Sequence, residues 1–346
     1  MMLQDICQEA TDLRASDRSL ASRPLVTLTL LTYNQEDLVA ESLRSALAQT
    51  YRPLEIIVSD DASTDGTLAA VEAELARHQT TARVHVRCNP RNLGISAHVS
   101  VVCAMASGEL IVLAAGDDLS APQRCERLVQ RWLDSDRKVD LLVSDVVDMD
   151  EDGASHGILQ VDTLENWHGI DDWLRREPYV IGAGIACTPR LFRIFGPINA
   201  EAQAEDHVLP LRAILCGGAA TLHEPLVHYR RGGASAKRRY ASVAERVAVL
   251  RRNNDRHLAA MAQMEQDAGQ VDAGDRFRSG KRLEAARLRF VDAMFRTQGL
   301  GARLKIALRA RDVEFAYRLR IFTYATMPLI HAPSIFLKRE LRALRA

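Results

Sequence analysis

The sequence predicts an α/β fold, a mostly parallel sheet with flanking helices, followed by a C-terminal helical region. Three observations carry this expectation. Short β-branched and leucine-rich runs alternate with stretches whose apolar positions recur at helical spacing, the connections are short, and the strand-like runs end in carboxylates or turn residues. A repeated strand-helix order with short connections packs economically only as parallel strands with helices on the sheet faces.

The first strand is expected at residues 25–32, LVTLTLLT, and the helix after it carries Leu38, Val39, Leu43, Ala46 and Leu47 on one face. The second strand, at 54–59, contains Ile56, Ile57 and Val58, an apolar run without alternation, as in a strand buried on both faces. A helix over 64–77 follows, with Asp65 in its first turn and Leu68, Val71 and Leu75 aligned. ARVHVRC reads as a third strand, SAHVSVVCAMA as a helix and GELIVLAAGDD as a fourth strand; RCERLVQRWLDS and VDLLVSDVVDMD add a helix and a strand, extending the α/β region to about residue 150. From 151 to 240 the pattern is mixed, with glycine-rich turns at IGAGIACT and ILCGGAAT. The remainder is arginine-rich and helical, with apolar positions at Leu283, Phe290, Val291, Met294 and Phe295. The expected organisation is an N-terminal extension over 1–23, an α/β domain over 24–240 divided near 122, with halves 24–122 and 123–240, and a basic helical region over 241–346.

At 346 residues, with 47% hydrophobic and 26% charged, the composition is that of a globular chain with one large or two modest domains. The formal net charge of zero argues against a nucleic-acid binder by bulk charge. The balance is uneven, with 17 Lys and Arg against 6 Asp and Glu from Asp275 onward, so an anionic surface would meet the tail rather than the acidic body. The six cysteines are scattered without metal-site spacing, and the N-terminus lacks the charged-then-apolar pattern of a signal peptide, so reduced thiols and a cytoplasmic location are expected. The apolar stretch at 321–337 is broken by Pro328 and Pro333 and contains His331; it suits lying on a membrane better than crossing one. Phe290, Met294 and Phe295, with the terminal LKRELRALRA, suggest helices peripheral to an anionic membrane. A basic subdomain packed on the acidic body, or on a second subunit as a homo-oligomer, accounts for the same pattern.

Two carboxylate pairs stand at strand ends, Asp60-Asp61 and Asp117-Asp118, and parallel strands bring both to one sheet edge. Four carboxylates converging there repel one another unless donors or a hard divalent ion such as Mg²⁺ or Mn²⁺ satisfies them. The plain alternative is that each pair decorates a turn and caps the next helix. A third pair, Glu205-Asp206, opens an apolar helical run, where acidic residues also favour a helix N-terminus.

VTLTLLTYNQEDLVAESLRSALAQTYRPLEIIVSDDASTDGT resembles the nucleotide-binding half of the family 2 glycosyltransferases, and NLG at 92–94, GELIVLAAGDDLSAP, AEDHVLPLRAILCGG and PLVHYRRGGAS continue the likeness in order across about residues 25–236. The resemblance implies a GT-A fold with a Rossmann-like sheet, and a bacterial, non-processive enzyme that moves one sugar with inversion from a nucleoside diphosphate (UDP, GDP or dTDP) to an acceptor hydroxyl. The acceptor would be a sugar or a lipid-linked molecule in surface polysaccharide or glycolipid assembly. It implies that Thr32, Tyr33 and Glu36 line the nucleotide pocket, that Asp60 accepts a hydrogen bond from the base with Asp61 beside it, and that Asn92 belongs to the same pocket. Asp117 would ligate the metal with Asp118 in support, Arg230 would contact the diphosphate, and Asp206 would be the general base with Glu205 next to it.

The chain also departs from the family pattern. Ala115 stands where the first aspartate of the metal motif is usual, Val99 where a basic residue is frequent, and Gly232 where some relatives place a histidine; the motif of processive synthases is missing. Rival readings are a nicotinamide-dependent oxidoreductase, because GAGIAC at 182–187 imitates part of a dinucleotide fingerprint, a nucleotidyltransferase, and a catalytically silent domain that only binds.

Overall fold

The computed structural model describes residues 23–231 and 242–331; the N-terminal extension to residue 22 with Cys7, the segment containing Gly232, and LKRELRALRA lie outside the described residues. Four strands in parallel make the first half of the sheet: β1 (Val26–Thr32), β2 (Leu54–Asp60), β3 (Arg83–Cys88) and β4 (Leu110–Ala115). They are joined by α1 (Val39–Leu47), α2 (Thr67–Arg77) and α3 (Ile95–Met105), and their spatial order is β3-β2-β1-β4. The register sets Thr32 beside Asp60 and Leu31 beside Ala115, so the carboxyl ends of β1, β2 and β4 finish in one row. The order of connection reverses between β1 and β4, and at such a point an open α/β sheet leaves a crevice for ligands.

The second half contains β5 (Leu119–Ser120), α4 (Arg124–Asp134), β6 (Leu141–Met149), β7 (Ser155–Leu159), α5 (Ile170–Arg175), β8 (Ile185–Cys187), α6 (Arg190–Phe195), α7 (Glu205–Cys216) and β9 (Ala219–Arg230). Beyond β4 the sheet continues as β8-β6-β9-β5, with β7 on β6. The long ladders are parallel, whereas the antiparallel joints of β8 to β4 and β6 are short. β1 and β2 are buried along their whole length, as their unalternating sequences predict. Val26, Leu28, Leu30, Ile56 and Val58 pack with Val39 and Leu43 of α1, Val71 of α2 and Leu128 of α4. Leu31 and Ile57 enter the opposite core, with Val102 of α3 and Leu209 of α7. Each such aliphatic side chain stabilises the fold by about 1.5–3 kcal/mol on full burial. α2 begins three residues later than the expected 64, because the residues before it are held in a loop by bonds to Asn34, Asp60 and Glu36.

The C-terminal helices are α8 (Val243–Gly269), α9 (Gly274–Gly280), α10 (Arg282–Arg296), α11 (Leu300–Arg309) and α12 (Phe315–Thr326). Ser242 caps α8 by accepting the Glu245 N–H at 3.1 Å. The same helix sends Met261, Met264 and Ala268 into the core that contains α7, so the basic region does pack on the α/β body. Phe290, Val291 and Met294 of α10 form a separate small core with Val313 and Ile321, and Phe295 packs against it. The expectation that Phe290, Met294 and Phe295 face a membrane is therefore corrected: Phe290 and Met294 are 4% and 0% exposed and hold the helical region together. Among the described residues all five cysteines are free thiols, three of them buried, as the scattered spacing suggests.

A polar link between body and tail is the Arg212–Asp267 pair, fully buried on α7 and α8 at 2.7 Å. Gln263 also donates to Asp267, and Arg212 donates to the Gly196 carbonyl. Asp267→Ala strands a buried guanidinium and is expected to cost about 3–5 kcal/mol, whereas replacing both partners by apolar residues of similar volume should cost far less. Urea denaturation of the single and double variants checks this, and a single variant within about 1 kcal/mol of the parent would refute it.

Candidate active site

The floor of the site is the row where β1, β2 and β4 end. The loops after β1 and β2 are zipped together: Asn34, in the left-handed region at φ 50°, donates its N–H to Ser63 and accepts the Thr64 N–H at 2.8 Å. Glu36 accepts the Gly66 N–H at 2.6 Å, and a Cβ on Gly66 would lie 2.7 Å from that carboxylate, so a larger residue there would push the Glu36 side chain aside. Thr32 donates to Asp60 at 3.0 Å, and Asp60 also accepts the Ser63 N–H and hydroxyl at 2.8 and 2.5 Å. Asp61 accepts from the Asn89 side chain and from the Leu93 and Gly94 N–H groups, at 2.7, 2.9 and 3.0 Å. It thereby holds the 89–94 loop, in which Asn92 is exposed and Gly94 takes φ 78°. Beneath it, Arg87 donates to Ser59 and Asn89, and buried His98, whose pKa burial lowers, shares a hydrogen bond with Ser59. Thr32, Asp60 and Asp61 are thus framework, each at most 3% exposed, and Tyr33, Glu36 and Asn92 form the open rim.

At the end of β4, Gly116 donates to the Leu31 carbonyl and its own carbonyl accepts the Ser42 hydroxyl. Thr32 and Gln35 crowd the place a Cβ would need. Asp117 and Asp118 follow. Arg230, at the end of β9, donates its N–H to Asp118 at 2.8 Å and its Nε to the Asp117 carbonyl at 3.0 Å, and its guanidinium reaches the Glu151 carbonyl and Glu41. Arg230 is therefore a clamp, 8% exposed, rather than a cation open to a diphosphate. Burial, and then the charge of Asp117, pushes the Asp118 carboxyl up to about 7. Burial also raises Asp117, against the stabilising hydrogen bond from Gln35.

The donor chemistry here fits a divalent ion only as a partial site. Among the described residues no cluster of three or more His, Cys, Asp or Glu is placed to hold a metal. The four strand-end carboxylates share an edge but do not converge, because Asp60 and Asp61 are taken up by their own loops. A hard ion that keeps waters and substrate phosphates as ligands needs only one or two protein carboxylates, and Asp117 beside Asp118 can supply them.

Glu205 and Asp206 open α7. Ser96, on α3 just after Gly94, accepts the Ala204 N–H at 3.1 Å and donates to Glu205 at 3.4 Å. The turn Gly182–Gly184 lies against the pair, a Cβ at Gly182 being 3.6 Å from both Asp206 Cβ and Glu205 Oε1. The Ala183 carbonyl accepts from Arg124 at 2.6 Å, and Arg124, fully buried, also donates to the Leu113 carbonyl of β4. One arginine thus fixes the Gly182 turn relative to the strand that presents Asp117. Burial and the neighbouring Asp206 charge push Glu205 up to about 7. His207 shares a hydrogen bond with Glu177, which raises its pKa; burial opposes ionisation of Glu177, but the bonds from His207 and Lys281 hold it at about 2.

Three groups of residues escaped the sequence reading: the Gly182 turn, the structural cations Arg124 and Lys281 with Glu177, and the positioning side chains Gln35 and Ser96. GAGIAC carried a signal, its two glycines, but the motif it imitates pointed elsewhere. A cleft of about 500 Å³ lined by Leu25, Arg52, Glu55 and Arg83 opens at the other, amino-terminal edge of the strands and contains none of these groups.

Residues 28–193 match Glycosyl transferase family 2. The chain is 36% identical over 133 residues to EpsE of Bacillus subtilis (strain 168), which carries a provisional glycosyltransferase name; the alignment takes in 38% of this chain and 47% of that protein. It is 31% identical over 127 residues to the succinoglycan biosynthesis protein ExoO of Rhizobium meliloti (strain 1021), covering 37% of this chain and 35% of that one. These alignments span half or less of either relative. Among solved structures, S. aureus TarS 1-349 in complex with UDP superposes with a TM-score of 0.50 at 16% identity, over 87% of this chain and 90% of that one, a likeness of fold alone.

The raised Glu205 carboxyl has a consequence for pH. Between about pH 4.5, its ordinary value, and about 7, the folded chain retains a proton that the unfolded chain has released, so this residue makes stability fall as pH rises through that window. Glu205→Gln should flatten the decline, as read from urea midpoints at pH 5 and pH 8; an unchanged slope would remove Glu205 as its source.

Proposed function

Because residues 28–193 make this chain a member of glycosyl transferase family 2, we propose that it transfers one sugar from a nucleoside diphosphate sugar to an acceptor hydroxyl, with inversion at the anomeric carbon. The observation that carries the reading is the position of Asp117-Asp118 at the strand-order reversal, with the Glu205-Asp206 helix terminus tied to the same strand through Arg124 and the Gly182 turn. Tyr33, Glu36 and Asn92 line the nucleotide pocket, while Thr32, Asp60 and Asp61 shape its wall. Asp117, supported by Asp118, would hold Mg²⁺ or Mn²⁺, which when bound supplies positive charge against the leaving diphosphate.

In the transfer, the acceptor oxygen attacks the anomeric carbon from the face opposite the diphosphate. The bond to the diphosphate breaks with its electron pair on the leaving group, and the hydroxyl proton passes to Asp206. Glu205, with its pKa near 7, is largely protonated below that pH and spares Asp206 a second negative neighbour. The donor is a UDP, GDP or dTDP sugar; the acceptor is a sugar or a lipid-linked molecule in bacterial surface polysaccharide or glycolipid assembly, in keeping with the named role of ExoO. The site would work on the cytoplasmic side of the membrane, and the chain without a processive motif would add a single residue.

A second reading, a domain that binds the donor without turnover, is favoured by Ala115 and by the clamping of Asp118 under Arg230. Release of nucleoside diphosphate from a panel of sugar nucleotides, with and without Mn²⁺ and acceptor, separates the two. Asp206→Asn should lower kcat by about a hundredfold or more while donor affinity holds; equal losses in both would assign it a structural role. Asp117→Asn should abolish metal-dependent transfer with the fold intact by circular dichroism, and near-parental turnover in Mn²⁺ would disprove the metal assignment.

A further inference from the structure

The helices α11 and α12 turn apolar side chains outward. Leu300, Leu304 and Leu308 follow one another at four-residue spacing along α11 and are 63%, 47% and 65% exposed; on α12, Phe315 and Leu319 are 71% and 51% exposed. Side chains four apart share a helix face, so these are stripes rather than scattered leucines. The helices do not need them for their own packing, which uses Val313, Ile321, Ile306 and Ala307 on the inner side.

The charge around the stripes is one-sided. Between residues 299 and 331 there are six Lys and Arg and only two acids, Asp312 and Glu314. Both acids are turned back onto α10, Asp312 to Arg282 at 3.6 Å and Glu314 to Arg287. Lys305, Arg309 and Arg311 are exposed, and no salt bridge to a carboxylate is made by them among the described residues. No helix of the described residues is long and apolar enough to cross a membrane.

We propose that the α11–α12 pair docks in the plane of an anionic lipid bilayer, with Leu304 and Leu308 entering the acyl boundary and Lys305, Arg309 and Arg311 meeting the headgroups. An apolar helix face edged with cations gains from both burial and anionic lipid. A second copy of this chain is a poorer occupant, because a two-fold contact through the stripes would set the same unneutralised cations against one another. The inference is independent of sugar transfer, although a membrane-docked chain would meet a lipid-linked acceptor directly.

The test is flotation of the full chain with phosphatidylcholine vesicles with and without phosphatidylglycerol. Binding should require the anionic lipid and fall about tenfold or more between about 0.05 and 0.5 M salt, as screening shortens the reach of the cations. Leu304→Glu/Leu308→Glu, at exposed positions, should weaken binding about tenfold or more with an unchanged melting temperature. Nucleoside diphosphate release, measured without vesicles, should be the same in that variant and the parent, so a docking failure is distinguishable from a failure of the transferase reading. No flotation at low salt, equal flotation of the leucine variant, or flotation with neutral vesicles regardless of salt would overturn the proposal. So would a dimer by light scattering that the leucine variant dissociates.

Discussion

The site depends on gathering carboxylates at one sheet edge without letting them repel one another. The register of β1 with β2 and β4 forces Asp60, Asp61, Asp117 and Asp118 onto that edge. Their mutual repulsion is relieved by donors rather than by distance alone. Asp60 takes hydroxyl and backbone donors, Asp61 takes two N–H groups and an amide, and Asp118 takes the Arg230 N–H. A carboxylate that accepts several N–H bonds is stabilised in its charged form, and the loop that donates them is fixed in return. Asp61 shows the exchange most clearly: its charge is satisfied by ordering the 89–94 loop, which leads directly to Ser96 and from there to Glu205.

The second consequence is a division between saturated and strained groups. Asp60 and Asp61 are buried with full sets of donors, whereas buried Asp118 and half-buried Asp117 and Glu205 have fewer, and the pKa values of these three rise. Perturbed carboxylates in a cleft mark the places where a ligand can provide what the protein withholds. The contrast separates the aspartates taken up by their own loops from those that keep fewer donors, within one edge. It also explains why Arg230, a cation near two acids, is not open to solvent: it closes the loop after β4 against the end of β9.

The helical region is part of this arrangement rather than an appendage. Lys281 reaches Glu177, Glu177 reaches His207, and His207 follows Asp206 in α7. One turn and a half further along the same helix, Arg212 is anchored to Asp267 of α8. The helix whose first turn carries the acidic pair is therefore held near its start and past its middle by contacts outside the α/β sheet, one partly buried and one dry.

Local sequence was enough to establish the strand-helix order of residues 26–134, the buried character of β1 and β2, and the edge that carries the carboxylates, because each follows from short-range periodicity and from the single direction of parallel strands. The likeness of TYN, DDASTDGT and GDD to one family was legible for the same reason: those residues are contiguous. Sequence could not say which aspartates are spent on their own loops, since that depends on donors such as Asn89 and Arg230, 28 and 112 positions away. Nor could it separate Phe290 and Met294, which face a core built with α12, from Leu304 and Leu308, which face outward; all four sit at helical spacing in an arginine-rich stretch. Periodicity identifies an apolar face, but only the packing of one helix on another determines whether that face is covered.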